Sequence, residues 1–319
     1  MITYVIKIIL CSALFLILYK VLFEREKMHL FNRFYLLSAL VLSLVIPLMT
    51  FNSSTPVLPA VEKAILNNKV LTGIYYVQQQ PPVDNTDYYS LILLSIYLTI
   101  TILLFYKFII NLAAIFNKIS HNTIVLSEDV RIVLINEDLI PHSFLNYIFV
   151  NKEDYSSGGV ENEVLIHELL HVKQKHSLDI LFVEVIQVFF WFNPFLFFYK
   201  KAIRLNHEFL ADEAVINTCH NIVNYQYLLI NKAKKQSWSI LTSPFNYLTT
   251  KKRLIMMTKT RSFVRSMCKQ VAVIPVLAVS IFLFSTKSFA QKHTNIVTVQ
   301  VEKDILKSCL FAYWQLKKK

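Results

Sequence analysis

Four long apolar stretches constrain this chain more than any other feature of its sequence. A helix needs about 20 mainly apolar residues to cross a membrane, and the stretches at about 5–23, 35–51, 89–110 and 271–289 meet or approach that length. The composition agrees, since 55% of the residues are hydrophobic, 17% are charged and only three are glycine. The sequence therefore predicts a mainly α-helical membrane protein with four transmembrane helices, and it excludes a glycine-rich phosphate loop as its theme. A cleaved signal peptide is the alternative for the first stretch, but a second stretch follows almost at once.

The distribution of Lys and Arg predicts the orientation of these helices. The loop 24–33 holds three cations, whereas the much longer loop 52–88 holds two. Seven more cations lie between Lys251 and Lys269. Loops rich in cations stay in the cytoplasm, so the loop 52–88, both termini and the tail 290–319 are predicted to lie outside. The net charge of +12 then reflects topology and attraction to an anionic leaflet, and direct binding of nucleic acid is not expected.

This topology divides the chain into four parts. Residues 1–110 form three transmembrane helices, 111–270 a cytoplasmic domain, 271–289 the fourth transmembrane helix and 290–319 a short outside tail. Within the cytoplasmic part, β-branched and aromatic residues predict short strands at 123–126, 131–135 and 146–150, so an α+β domain is expected. We also expect one edge strand, at 143–150, to bind a substrate segment by strand addition.

An HExxH motif stands in this domain, at His167-Glu168-Leu-Leu-His171. On a helix the two histidines lie one turn apart on the same face, which is the geometry that two zinc ligands need. Glu168 is offset from them and would take a proton from the attacking water in peptide hydrolysis. The motif arises by chance in about one such chain in a hundred, so two ordinary surface histidines remain the alternative.

A second motif, ExxxD, follows at Glu208 and Asp212. Glu208 would complete a ligand set of two histidines and one glutamate for Zn²⁺, with a fourth position left for water. Asp212, one helical turn further on, can accept the ring N–H of a ligand histidine and fix its tautomer. A solvated helix face is the alternative for this pair. His176 and His207 are interpreted as ordinary polar residues rather than ligands.

Residues 178–199 are apolar enough to imitate a fifth membrane helix. If they crossed the bilayer, His171 and Glu208 would lie about 30 Å apart on opposite sides and could not share a metal. The sequence therefore predicts a helical hairpin that turns at Asn193-Pro194, with its aromatic face on the membrane or on the spans. Because the arms of the hairpin differ in length, the HExxH helix is predicted to end or bend near 175–177, with Ser177 as the next N-cap.

Three segments of the chain resemble the antibiotic-responsive BlaR/MecR family of membrane metalloproteases. They are residues 167–179, 191–195 and 206–214, and Pro141-His-Ser-Phe144 is also similar to that family. The resemblance implies a gluzincin-type zinc protease domain carried between the third and fourth transmembrane helices. It also implies Zn²⁺ held by two histidines and a glutamate, with one catalytic base and one supporting acid; these are His167, His171, Glu208, Glu168 and Asp212.

The family's role gives the expected function. An outside stimulus activates the cytoplasmic protease, which relieves repression by a DNA-bound repressor. The best-known members continue outside into a large penicillin-binding sensor, for which residues 290–319 leave no room, so β-lactam sensing is not assigned. The expected partners are a protein substrate, namely a winged-helix transcriptional repressor, and the lipid bilayer; a homodimer is left open. Two alternatives stay open as well, a non-proteolytic transducer with a structural zinc site and a quality-control protease for membrane proteins.

Overall fold

The structure is a computed structural model, and it describes most of the chain. The described residues are 2–49, 88–127, 130–137, 139–219, 221–236, 245–260 and 262–285. Almost all of the predicted outside loop 52–88 and the whole predicted tail 290–319 lie outside these ranges, so their location stays a prediction.

Helices make up most of the described residues. In chain order they are α1 (Ile2–Leu18), α2 (His29–Val45), α3 (Tyr88–Ser120), α4 (Lys152–Ser156), α5 (Asn162–Lys173), α6 (His176–Phe189), α7 (Phe195–Cys219), α8 (Ile222–Gln236), α9 (Phe245–Thr258), α10 (Phe263–Val271) and α11 (Val273–Ser285). A π-helical turn (Tyr19–Phe23) extends α1, and a 3₁₀ turn (Ile46–Leu48) extends α2.

Four helical segments of the described chain are long and apolar enough to cross a membrane. They are Thr3–Phe23, His29–Leu48, Tyr88–Ser120 and Phe263–Phe284. Each predicted stretch falls on one of them, so the four candidate spans are confirmed by length and composition. Their bounds differ from the prediction, since the second and fourth begin earlier and the third continues to Ser120. Hydropathy marks only the apolar part of a helix, whereas its backbone hydrogen bonds continue through neighbouring polar residues of good helix propensity.

A four-stranded sheet follows α3. Its strands are β1 (Thr123–Ser127), β2 (Val130–Ile135), β3 (His142–Phe144) and β4 (Tyr147–Asn151). Their order is β1-β2-β4-β3, with β2 and β4 parallel and the two outer pairs antiparallel. Side chains alternate along β2, so that Ile132 and Leu134 pack with Val172 of α5, while Val133 packs with Ile119 of α3. The three predicted strands are confirmed, and the sheet lies between α3 and α5.

The predicted edge strand at 143–150 is wrong as a single element. The chain turns at Leu145-Asn146, so Ser143 belongs to the edge strand β3, whereas Tyr147 begins β4, which lies between β2 and β3. Leu145 adopts φ 51°, and its N–H donates to Ser177 Oγ at 2.9 Å. Turns with a positive φ usually carry Gly or Asn at that position, so the sequence pattern gave no sign of this turn.

The HExxH helix is short, as predicted. α5 ends at Lys173, Lys175 takes the left-handed conformation (φ 53°, ψ 40°), and α6 begins at His176. A left-handed residue just after the last turn is a common way for a helix to end. The prediction of Ser177 as an N-cap is wrong, because Ser177 lies inside the first turn of α6 and its hydroxyl accepts the N–H of Leu145.

The predicted helical hairpin is confirmed by α6 and α7. At the turn, the Asn193 side chain accepts the N–H of Phe195 at 3.0 Å and donates to Ser12 Oγ of α1 at 3.0 Å. The hairpin also packs on the first two candidate spans, as expected from its aromatic face. The buried cluster that joins them includes Cys11, Phe15, Tyr19, Tyr35, Leu36, Leu40, Val183, Leu196, Tyr199 and Ile203. Helix α7, which carries Glu208, also packs against α5.

Candidate metal centre

Three predicted ligand residues converge between α5 and α7. The Nε2 atoms of His167 and His171 are 3.2 Å apart. The carboxylate oxygens of Glu208 lie 3.3 Å from Nε2 of His167 and 3.7 Å from Nε2 of His171. Ligand atoms at about 2.0–2.1 Å from a tetrahedral zinc ion are about 3.3–3.4 Å from one another. The three groups therefore fit one metal ion and could hold it.

The two histidines are not ordinary surface residues. His167 is buried between α5 and α7, and His171 is half-buried. Burial lowers the pKa of His171 to about 3, so this imidazole is neutral near pH 7 and keeps a lone pair for a metal. Burial would raise the pKa of Glu208, but the Arg253 guanidinium and the two imidazoles hold it well below its usual range.

The second nitrogen of His167 contacts a tyrosine that the sequence motifs did not reveal. The Tyr225 hydroxyl lies 2.9 Å from Nδ1 of His167 and donates to Oδ1 of Asp212 at 2.8 Å. Because the tyrosine proton goes to the carboxylate, the hydroxyl accepts the Nδ1–H of His167, and Nε2 is left free. Asp212 itself lies 3.5 Å from Nδ1. The contact predicted for Asp212 thus runs mainly through Tyr225.

A half-buried arginine pairs with both acids of the ExxxD motif. Arg253 of α9 donates from Nε and Nη2 to the two oxygens of Asp212, at 2.9 and 2.5 Å. Its Nη1 lies 2.8 Å from Oε2 of Glu208. Since Asp212 is only 2% exposed, this fork-shaped pairing supplies the charge that an isolated buried carboxylate lacks.

The second nitrogen of His171 contacts another histidine. Nδ1 of His171 lies 2.8 Å from Nδ1 of His176, and Nε2 of His176 lies 3.0 Å from Oε1 of Gln174. A carbonyl oxygen only accepts, so the proton of His176 is on Nε2 and its Nδ1 accepts from His171. His171 then keeps Nε2 free, just as His167 does. His176 is outside the candidate ligand group of the described residues, and its buried ring contacts one of the candidate ligands.

Glu168 lies beside this group and faces the strand β3. Burial raises the pKa of the Glu168 carboxyl, although His167 and a hydrogen bond from Ser143 oppose that rise. Lys232 of α8 is close enough to act on the same carboxyl, and burial lowers the pKa of this lysine. A carboxylate with a raised pKa is suited to accept and release a proton.

A large cleft opens onto the group. Its volume is about 1330 Å³, and Glu168, His167 and Glu208 line it. Strand β3 forms one part of its wall, and apolar residues of α3 and α6 form another, among them Leu104, Phe108, Ile180 and Leu181. The cleft is large enough to hold several residues of an extended peptide.

Comparison with known proteins identifies this region. Residues 143–257 match the family described as BlaR1 peptidase M56. This range of the chain is similar to the BlaR1-type peptidase M56 domain. "Regulatory protein BlaR1" from Bacillus licheniformis is 28% identical over 143 residues, which cover 42% of this chain and 23% of that protein. The resemblance to BlaR/MecR proteins is confirmed, and the M56 match indicates a metallopeptidase.

The site in the matched range contains more residues than the motifs predicted. The structure brings together His167, His171 and Glu208, with Glu168 beside them, whereas the sequence analysis missed Tyr225 and Arg253. Tyr225 stands in an ordinary helical pattern that carries no signal. Arg253 belongs to a basic run, Lys251 to Arg253, which in the sequence indicates only membrane topology.

Proposed function

We propose that this chain is an integral-membrane zinc endopeptidase of gluzincin type that acts in transmembrane signalling. The observation that carries the proposal is the spacing of 3.2–3.7 Å among the nitrogens of His167 and His171 and the carboxylate of Glu208. This spacing matches a tetrahedral zinc site, and it lies in a domain that matches a peptidase family.

The side chains take distinct roles in this proposal. His167, His171 and Glu208 would hold Zn²⁺, which would supply Lewis-acid polarisation of a water molecule and of the peptide carbonyl. Glu168 accepts the proton of the attacking water and passes it to the leaving amine. Tyr225 and Asp212 hold the ring of His167 in the tautomer that binds a metal, and Ser143 holds the carboxylate of Glu168.

The substrate is proposed to bind in the cleft as an extended segment. Strand β3 is an edge strand, because in the described sheet it pairs with β4 on one side and with no strand on the other. Its residues His142–Phe144 line the cleft together with Glu168. A peptide that added to this edge by backbone hydrogen bonds would pass next to the base.

The domain is proposed to lie in the cytoplasm, with the loop 52–88 and both termini outside. The loop between α1 and α2 supports this arrangement, since it contacts α9, the helix that carries Arg253 of the site, and also α10. Lys252 of α9 pairs with Glu24, and Lys269 of α10 pairs with Glu26 at 2.7 Å. These two pairs support an arrangement with the cation-rich loop and the site on one side of the candidate spans, and cation-rich loops stay in the cytoplasm.

The proposed substrate is a winged-helix transcriptional repressor. The matched protein from Bacillus licheniformis is named as a regulatory protein, and the BlaR/MecR family to which the chain is similar relieves repression by a DNA-bound repressor. An outside stimulus would then end in cleavage of the repressor, with no direct contact between this chain and nucleic acid.

The test is cleavage by the full chain in membranes, with a repressor encoded beside its gene as substrate. Glu168→Gln should retain zinc and lose cleavage, because only the proton acceptor changes, whereas His167→Ala should lose both. Glu163→Gln makes the same change in the first turn of α5 and should leave both intact. Equal cleavage by wild type and Glu168→Gln would contradict the catalytic role.

The same variants separate the two alternatives. A transducer with a structural zinc site would still signal with Glu168→Gln and fail with His167→Ala. A quality-control protease would degrade many unfolded membrane proteins and show no preference for one repressor.

A further inference from the structure

Arg33 of the second candidate span binds residues next to the candidate metal site. Arg33 lies in α2, near the end of that helix that faces the site, and its side chain is only 14% exposed. Its Nε donates to Oδ2 of Asp179 at 2.7 Å, and its Nη2 donates to the backbone carbonyl of Gln174 at 2.8 Å. Both partners lie at the junction of α5 and α6.

Each of the two residues that Arg33 binds is connected to the imidazole of His176, one directly and the other through His207. Gln174, whose carbonyl oxygen Arg33 binds, contacts Nε2 of His176 through its side chain. Asp179, the other partner, accepts from Nε2 of His207 at 2.8 Å, and the ring of His207 stacks on His176 with centroids 4.0 Å apart and an angle of 4°. The ring of His176 is thus held on one edge and on one face.

His176 in turn holds a proposed metal ligand. Its Nδ1 accepts from Nδ1 of His171 at 2.8 Å, which orients the ring of His171 so that Nε2 faces Glu208. Groups that orient a ligand histidine in this way change metal affinity by about 10- to 100-fold when they are removed. His176 and His207 are each only 3% exposed, so water does not readily replace either ring.

The same span also holds the helix that carries Glu208. Asn206, which is fully buried and two residues before Glu208, donates to the backbone oxygen of His29 at 2.9 Å. His29 and Arg33 lie one turn apart in α2. Helix α2 therefore contacts α7, which carries Glu208, and the residue that follows α5, the helix of the two histidines.

We propose that Arg33 is a positioning residue for the metal site, and that through Asp179, Gln174 and His176 it makes the orientation of His171 depend on the placement of the second span. A shift of α2 along its axis is then transmitted to a metal ligand without any rearrangement of the HExxH helix. This inference rests on the proposed metal site and goes beyond it, because it assigns a role to a residue outside the matched range 143–257.

The test measures zinc affinity by chelator competition, on the full chain in detergent. Arg33→Gln should weaken zinc binding by about tenfold. Arg25→Gln removes the same charge at an exposed position in the segment just before α2, and should leave the affinity unchanged. Arg33→Lys keeps the charge but loses the forked geometry, so a smaller loss is expected, and this variant carries the comparison if Arg33→Gln does not fold.

A double-mutant cycle distinguishes this role from general support of the fold. If Arg33 acts through His176, Arg33→Gln should add no further loss in a His176→Gln background, whereas independent effects would multiply. Zinc binding by Arg33→Gln and Arg33→Lys as tight as that of wild type, or losses that multiply, would overturn the inference.

The role of Arg33 and the proposed proteolytic function can fail independently, and the experiments distinguish the two failures. A wild-type chain that binds no zinc would overturn both. A chain that binds zinc and cleaves nothing would contradict only the proteolytic function, since the affinities of the Arg33 variants would still decide the role of this residue.

Discussion

Tyr225 stands between His167 and Asp212, with its hydroxyl 2.9 Å from Nδ1 of the histidine and 2.8 Å from Oδ1 of the aspartate. The hydroxyl can do this because it accepts one proton and donates another, whereas a carboxylate at 3.5 Å from the ring makes only a weak contact. The ring of His167 is therefore oriented by the hydroxyl of Tyr225, which Asp212 holds in place by a hydrogen bond.

Tyr225→Phe should weaken zinc binding by about 10- to 100-fold, because the Nδ1–H of His167 loses its acceptor while the ring keeps its packing. The measurement is chelator competition on the purified chain. Tyr227→Phe, two positions along α8 and 65% exposed, is the control and should bind zinc as wild type does. Equal affinity of the two variants would show that Asp212 alone orients the histidine.

Ser143→Ala should move the acidic limb of the activity profile to higher pH. Glu168 accepts a proton only when ionised, burial raises its pKa, and the hydrogen bond from Ser143 opposes that rise. Without the hydroxyl the pKa rises further, so the active form is lost at a higher pH as the solution is acidified. The measurement is kcat/KM against pH, and Ser156→Ala, on the exposed helix α4, should leave the profile in place. A limb that stays in place in Ser143→Ala would contradict this role of Ser143.

Arg253→Met should lower the free energy of unfolding of the zinc-free chain by about 3–5 kcal/mol, because Asp212 and Glu208 lose the charge that compensates them. The loss should be smaller when zinc is bound, since the ion then balances Glu208. Denaturant unfolding in detergent, with and without zinc, gives both values. Arg204→Met breaks an exposed pair with Glu184 and should cost at most about 1 kcal/mol.

Lys175→Gly should raise the free energy of unfolding by up to about 1 kcal/mol. Lys175 has a positive φ of 53°, which strains a residue with a Cβ by about 1–2 kcal/mol, and glycine removes that strain at some cost in chain entropy. Lys173→Gly, inside the last turn of α5, should have the opposite sign and lower the stability by about 1 kcal/mol. A drop in both variants would mean that the strain at Lys175 is compensated by its surroundings.

The predictable part of the site is the part set by helical periodicity. His167 and His171 share a face because they are four residues apart, and the same spacing links Glu208 to Asp212. The need for all ligands to share one side also predicted the hairpin at Asn193. The helical period of 3.6 residues was sufficient to predict both pairs.

The part that escaped prediction depends on side chains far apart in sequence. Arg253 approaches Asp212 only because α9 packs on α7, and no spacing rule connects positions 41 residues apart. The misplaced edge strand has a local cause, since Leu145 adopts a turn conformation for which its residue type gives no signal. Ser177 was misassigned for a related reason, because its partner is that same distant turn.

The apolar segments, the short strands and the HExxH and ExxxD motifs are predictable from the sequence, since each depends on the periodicity or composition of neighbouring residues. The contacts between these parts follow only from the packing of the helices. The tautomer of His167 depends on Tyr225, the charge balance of Glu208 on Arg253, and the orientation of His171 on a route that ends in the second span at Arg33. The physical reason is that hydrogen bonds and ion pairs depend on distances of about 3 Å, and only the packing of whole helices fixes such distances between remote residues.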